Sequence, residues 1–350
     1  AATYSAQLIE ISHDPLNWLR GDMEVKRGFH RMDETVGGTA NIVLLAKPKS
    51  ERGLRDLDFM KRLETLEQRI LKYQHEGWSK PLVTSSVSVL DIIRETNQAL
   101  HGGDKAYYRL PETERGLRDV LFLFENAGPA QLRRLATTDL SKAQVQLNIH
   151  WLPATQYQPL ADYVNRNIQE LFPIEGEVQA TGAVYSLLST LGLLVQDLAR
   201  SFGFAFVVIT IMMILLLWDL KLGLLAMVPN LAPIMGLLSV MVWGNVPLDM
   251  STLMVFSIAM GICVDDTIHF LHHFKVHYDL TGHTEDAIKK ALKHGGRAIV
   301  ITSIVLIAGM GSQVVAQMAS ISRFGMLVAA TIGLALVADL ILVPAVLRFF

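Results

Sequence analysis

The chain has 350 residues, 51% of them hydrophobic and 18% charged, with a net charge of −2 and a single cysteine. That charge balance excludes the basic footprint a nucleic-acid partner requires, and one cysteine excludes an internal disulfide. The mean hydropathy of +0.33 hides a split: residues 1–200 carry most of the charge, whereas residues 201–350 are dominated by apolar runs. The pattern predicts an α+β domain outside the bilayer followed by an all-α membrane bundle.

Residues 1–36 alternate short apolar pairs with turn residues and support no element assignment. Gly37-Gly38 opens a strand over Thr39–Ala46. Apolar residues at helical spacing predict a helix from about Leu54 to Tyr73. Val83–Val89 reads as a strand and Leu90–Leu100 as a helix. A second unit follows: an apolar run at Val120–Phe124, a short helix near Ala130–Leu135, an alternating strand over Gln144–Trp151, a helix over Pro159–Phe172 and a strand over Glu177–Gly182. The two strand–helix–strand units imply two small α+β layers. The hexapeptide Glu51–Asp56 recurs at Glu114–Asp119, but its flanks do not match, and coincidence is the preferred reading over duplication. His13, His30, His75, His101 and His150 are scattered and read as surface or packing residues.

Five windows are long and apolar enough to span a bilayer: about 202–218, 222–243, 251–274, 298–318 and 324–347. Lysine and arginine concentrate on one side, at Lys221, Lys275 to Arg297 and Arg348. That side is expected to be cytoplasmic. An odd number of spans then places residues 1–200 on the opposite side. The chain begins Ala1-Ala2-Thr3-Tyr4 with no export signal, so an upstream span or signal is expected to have been removed. Pro229 and Pro233 in the second span predict a kink around Asn230. Between the third and fourth spans, Thr284 is the expected N-cap of a short helix ending at Gly295. Its stripe of Ala287, Ile288, Ala291 and Leu292 is expected to lie on the membrane surface.

The third span carries adjacent carboxylates, Asp265 and Asp266, within an apolar run. Each charge near the bilayer centre costs roughly 2.5–3.5 kcal/mol on insertion scales, so intramembrane carboxylates mark ion pathways by default. They read as a proton site, with His269 within one helical turn of both and His272 and His273 continuing toward the basic side. The alternative is that they only hold the bundle together. Thr302 and Ser303 on the fourth span lie at similar depth, where their hydroxyls would reach the carboxylates. Gly325, Ala329 and Gly333 recur every four residues as a packing stripe on the fifth span. Asp339 either joins a buried polar network or fixes packing near the cytoplasmic end, the second being preferred.

Three stretches, GICVDDTIHFLHHF, AIKKALKHGGRAIVITS and FGMLVAATIGLALVADLILVPAVL, resemble the RND superfamily of exporters. The nearest likeness is to its bacterial lipid- and hydrophobe-exporting members, with kinship to Patched-like and sterol-sensing membrane domains. The resemblance covers about residues 201–350 and extends to the first 200 only through size and alternation, which suit a periplasmic porter-like domain. It implies proton-driven export of a hydrophobic or amphiphilic substrate, a lipid above all, at a bacterial inner membrane. The coupling ion is then a proton, with no metal or other cofactor, and Asp265 and Asp266 match the superfamily's acidic site. The superfamily usually has twelve spans in two halves, so this chain looks like a second half lacking its first span. A second transporter half or a homo-oligomer is the implied partner.

Two other functions remain open at this level. His269-Phe270-Leu271-His272-His273 has a spacing seen in membrane di-iron oxidases and desaturases, with Asp266 and His294 as further ligands. A sterol- or lipid-binding sensor without transport is the other.

Overall fold

A computed structural model describes residues 14–127 and 133–348. The chain divides into two compact units, one from Glu24 to Thr190, the other formed by the residues before Glu24 and after Thr190.

The first unit opens with α1 (Glu24–Val36), which sequence reading leaves unassigned. Val25, Phe29, Met32 and Val36 do recur at helical spacing, but charged residues separate them, and Val25, Met32 and Val36 stay exposed. The strand–helix–strand units follow as β1 (Ala40–Ala46), α2 (Leu57–Leu71) and β2 (Val83–Ser88), then β3 (Ala143–Ile149), α5 (Gln158–Leu171) and β4 (Val178–Thr181). Between them lie α3 (Val89–Leu100) and α4 (Glu114–Ala127), the latter absorbing the apolar run at Val120–Phe124. The short helix expected near Ala130–Leu135 falls largely outside the described residues.

The two units do not form two layers. Their strands join one antiparallel sheet, ordered β2-β3-β1-β4, the split arrangement of ferredoxin-like folds. Period-2 alternation explains this. Ala40, Ile42, Leu44 and Ala46 of β1 lie on the same face as their partners Ile149, Leu147, Val145 and Ala143 of β3, so both strands bury one shared face. Leu63, Leu66 and Ile70 of α2 and Leu160 and Val164 of α5 complete that core. Asp56 caps α2 by accepting from the Phe59 amide at 3.1 Å, which sets its start later than Leu54. Gly38 has φ +108°, and a Cβ there would lie 2.4 Å from the Ile149 carbonyl oxygen, so the start of β1 requires glycine. Asp33 ties α1 to the sheet: it accepts from the Thr39 amide and hydroxyl, the Trp151 amide and His150 Nδ1, at 2.7–3.0 Å. The repeated hexapeptides occupy unlike places, a 3-10 turn before α2 and the first turns of α4, although Arg52 and Glu114 form an ion pair between them.

In the second unit five stretches are long and apolar enough to cross a membrane: Ala183–Leu217, Leu220–Trp243, Ser251–Thr281, Thr284–Val315 and Ala319–Leu347. They comprise α6 (Ala183–Leu217), the pair α7 (Leu220–Leu225) and α8 (Met227–Trp243), α9 (Met250–Thr281), α10 (Thr284–Gly311), and α11 (Ala319–Val337) with a π turn at Ala338–Leu342 leading into α12 (Val343–Leu347). Each overlaps one predicted span; the second, third and fifth spans lie wholly inside, whereas the first and fourth, expected to reach 218 and 318, end at Leu217 and Val315. The second is interrupted at Ala226, ahead of Pro229, which lacks the amide that would continue the ladder.

A further expectation is overturned. No separate surface helix precedes the fourth span: α10 runs unbroken from Thr284, and its N-cap is His283 rather than Thr284. Gly295 and Gly296 do not end the helix. They bring it close to its neighbours, Gly295 against His273 and Gly296 near Leu340. Ala287, Ile288 and Ala291 are accordingly buried with Phe270 and Phe274 of α9 rather than laid on a membrane surface.

Candidate functional site

α9 positions the acidic motif. Asp249 caps it reciprocally with Thr252: the Thr252 amide donates to the Asp249 carboxylate at 2.8 Å, and the Asp249 amide donates to the Thr252 hydroxyl at 2.7 Å. Gly282 in a left-handed conformation ends it. Successive residues of a helix diverge by about 100°, so Asp265 and Asp266 have different surroundings. Asp266 is buried, and the Ser303 hydroxyl of α10 donates to it at 3.4 Å. Asp265 lies on the open side of α9 with its side chain 75% exposed, and His269 Nε2 is 3.8 Å away with its side chain 66% exposed. Among the described residues no lysine or arginine forms an ion pair with either aspartate.

Thr302, expected beside Ser303, is exposed and donates to the carbonyls of Ala298 and Ile299 on its own helix. The two hydroxyls diverge for the same reason as the two aspartates. Of the small-residue stripe, Gly325 is in close contact: a Cβ there would lie 2.5 Å from the Met310 carbonyl oxygen and 2.6 Å from Gln313 Cβ. Ala329 is half-buried, and a Cβ at Gly333 would meet nothing within 4 Å. Pro229 and Pro233 are buried around Asn230 in α8.

Of the two readings of Asp339, the structure shows the buried polar network. Asp339 is buried where the π turn faces the middle of α9. Thr267 Oγ1 lies 2.7 Å from Asp339 Oδ1, 2.8 Å from Asn230 Oδ1 and 3.1 Å from the Cys263 carbonyl oxygen. Asn230 Nδ2 donates to the Ala226 carbonyl oxygen at 3.1 Å. Sequence alone does not mark Asn230 and Thr267 as site residues. The available signal was an asparagine between two prolines in an apolar span, since a buried amide in a bilayer needs partners.

The HxxHH residues do not assemble as a metal site. Among the described residues no three His, Cys, Asp or Glu side chains are grouped to hold an ion. His269 and His272 are exposed on α9, and His294 faces His277 at 5.9 Å between ring centroids instead of Asp266.

A cavity of about 390 Å³ lies between α6, α8 and the first turns of α9, lined by Phe202, Leu231, Ile234, Leu238 and Phe256, with Ser257 as a polar group. Its size suits a hydrocarbon chain.

Five apolar helices with a paired acidic motif on the third are the features to compare with known proteins. The sequence pattern of the MMPL family matches residues 104–350, well over half of the chain. The chain belongs to the MMPL family. This family is a branch of the RND superfamily, whose members are transporters. A protein of Methanocaldococcus jannaschii, whose name claims no more than membrane residence, is 25% identical over 346 residues, covering 93% of this chain and 81% of its own length. MMPL membership and five apolar helices make this a membrane protein.

Proposed function

We propose that this MMPL protein exports or transfers a hydrophobic or amphiphilic molecule, a lipid above all, across or out of a bacterial inner membrane, driven by protons. Asp265 and Asp266 are the proton site. The observation that carries the reading is a pair of adjacent carboxylates in apolar helices, one buried against Ser303 and one on an open face, neither balanced by lysine or arginine among the described residues. Protonation removes the cost of holding a charge there and lets the helices repack. The apolar cavity beside Phe202 and Phe256 supplies a place for the substrate's hydrocarbon. The basic ends of the spans face the cytoplasm, and the first unit serves as the periplasmic porter domain.

The open face of α9 supports a partner. Met254, Ile258, Gly261, Asp265, His269 and His272 form one exposed stripe. An ionised Asp265 facing lipid costs roughly 2.5–3.5 kcal/mol on insertion scales, which a second transporter half, or a second copy of this chain, relieves. A cysteine at Ile258 is expected to cross-link between copies in native membranes.

The test is transport in proteoliposomes, with a fluorescent phospholipid analogue as the probe and an imposed pH gradient. Asp265→Asn and Asp266→Asn should each abolish gradient-driven movement while the proteins remain folded. Full activity in the double variant refutes the role. Probe binding with no dependence on the gradient would favour a lipid sensor instead.

A further inference from the structure

The hydrogen atoms around Thr267 do not suffice for an ionised Asp339. Three oxygens surround the Thr267 hydroxyl: Asp339 Oδ1 at 2.7 Å, Asn230 Oδ1 at 2.8 Å and the Cys263 carbonyl at 3.1 Å. A hydroxyl has one hydrogen to give. The Asn230 amide cannot turn to help, because the atom 3.1 Å from the Ala226 carbonyl must be its NH2 group. The Cys263 carbonyl has its helical amide partner, but with Asp339 ionised Asp339 Oδ1 and Asn230 Oδ1 would compete for a single hydrogen, and Asp339 Oδ2, which is buried and has no hydrogen-bond partner among the described residues, would be a bare charged oxygen. An unpaired charge in such a place is far more costly than a neutral acid there.

We propose that Asp339, outside the adjacent aspartate pair, is a proton-carrying residue of this transporter, occupied in the conformation described. Its own O–H donates to Thr267 Oγ1, and Thr267 passes its hydrogen to Asn230 Oδ1. The acid's hydrogen and the hydroxyl's hydrogen then each have an acceptor, and Oδ2 is an uncharged carbonyl oxygen. The inference rests on the proton-coupled reading above and adds a second site to it.

The surroundings agree. From α9, the ionisable groups buried beside the network are Asp266 and the Cys263 thiol, both acids, and neither neutralises a carboxylate. α8 contributes only Asn230 and holds no ionisable residue, α12 holds none, and α7, which packs against α12, carries Lys221 on its exposed side. α11 has Arg323 alone, at its far end, donating to the Asn17 and Ala319 carbonyls. Lys289, Lys290, Lys293 and Arg297 of α10 are all exposed. A proton is therefore the counter-charge available among the described residues.

The backbone supplies the means of coupling. Asp339 lies in the π turn Ala338–Leu342, and such single-turn bulges are rare and concentrate at functional sites. Loss of the proton leaves the charged Asp339 carboxylate and Asn230 Oδ1 repelling each other around one hydroxyl. The relief is for the π turn to relax and α12 to shift away from α9. Deprotonation thus moves the last helix relative to the helix that carries Asp266.

The experiment is infrared difference spectroscopy between acid and alkaline pH on the full chain in lipid nanodiscs, read at the carbonyl stretch of protonated carboxylic acids. A band is expected in the wild type, absent in Asp339→Asn, shifted in Thr267→Val, and unshifted in Thr267→Ser and Asp265→Asn. Asparagine mimics the neutral acid and can donate to Thr267, so Asp339→Asn should fold normally. A band that survives Asp339→Asn and vanishes in Asp266→Asn overturns the proposal. Gradient-driven transport is measured on the same proteins, and Asp339→Asn is expected to lose it. An Asp339 band in a wild type that moves no probe supports the proton site and sinks the transport reading. Transport without an Asp339 band does the reverse.

Discussion

Replacing Thr267 by valine keeps the shape of the side chain and removes the hydroxyl that joins three helical segments. Two contacts disappear, one to Asn230 of α8 and one to Asp339 of the π turn. The Cys263 carbonyl keeps its helical amide partner and loses little. In a water-soluble protein each orphaned buried group would cost about 1–3 kcal/mol. In a bilayer the reference state is already inserted and finds other partners, so interhelical hydrogen bonds average about 0.6 kcal/mol and reach about 1.7. The second scale governs here, because these segments unfold within lipid. Two bonds then give a loss of about 1–3 kcal/mol. The assay is reversible unfolding in bicelles by increasing the fraction of denaturing detergent, with Thr267→Ser alongside. Serine retains the hydroxyl and should cost much less than valine. A valine variant as stable as wild type, or a serine variant as damaged as valine, refutes the claim that this hydroxyl links the helices.

In the first unit, Arg94 donates to Glu67 at 2.8 Å and to Glu64 and Asp91 at 3.0 Å. Arg94→Ala leaves the buried Glu67 with Ser88 alone and should cost about 3–5 kcal/mol. Glu67→Ala leaves Arg94 two carboxylates and should cost about 1–3 kcal/mol, and equal losses on thermal denaturation would contradict this ordering. Burial pushes the Asp33 carboxyl up, but hydrogen bonds from Thr39, His150 and Trp151 outweigh it and hold it below its ordinary 3.8. A carboxyl depressed on folding stabilises above its unfolded value and loses that contribution as pH falls through the folded one. Melting temperature should therefore drop as pH goes below 3.8, and Asp33→Asn should flatten that drop. Gly325→Leu drives a side chain into the Met310 carbonyl and Gln313 and should cost about 1–3 kcal/mol. The same change at Gly333, where a Cβ meets nothing within 4 Å, should be close to neutral in detergent unfolding.

The elements of this protein are legible where periodicity alone determines them. β3 alternates strictly, β1 is a short apolar run opened by Gly37-Gly38, α2 and α5 repeat at helical spacing, and each apolar window overlaps one membrane-length helix to within three residues. What periodicity does not encode is which face meets which. The two strand–helix–strand units read as independent because nothing local says that β3 lies between β1 and β2. α10 reads as two helices because Gly295-Gly296 signals an end, and only the close approach of α9 turns those glycines into a packing surface. The acidic site shows the same division. A charge in an apolar run is conspicuous, so Asp265 and Asp266 were found from composition, and Ser303 from its depth. Asp265 on the open face and Asp266 in the core differ by one residue of helix phase, which the sequence leaves unset until α9 has neighbours. Thr267 and Asn230 carry no charge and are unremarkable in a membrane helix one at a time. Their meaning comes from meeting Asp339 around one hydroxyl, across sequence separations of 37 and 72 residues. Burial first signals a proton site in such a bundle, but the deciding quantity is the number of hydrogens available to the acceptors that the fold brings together.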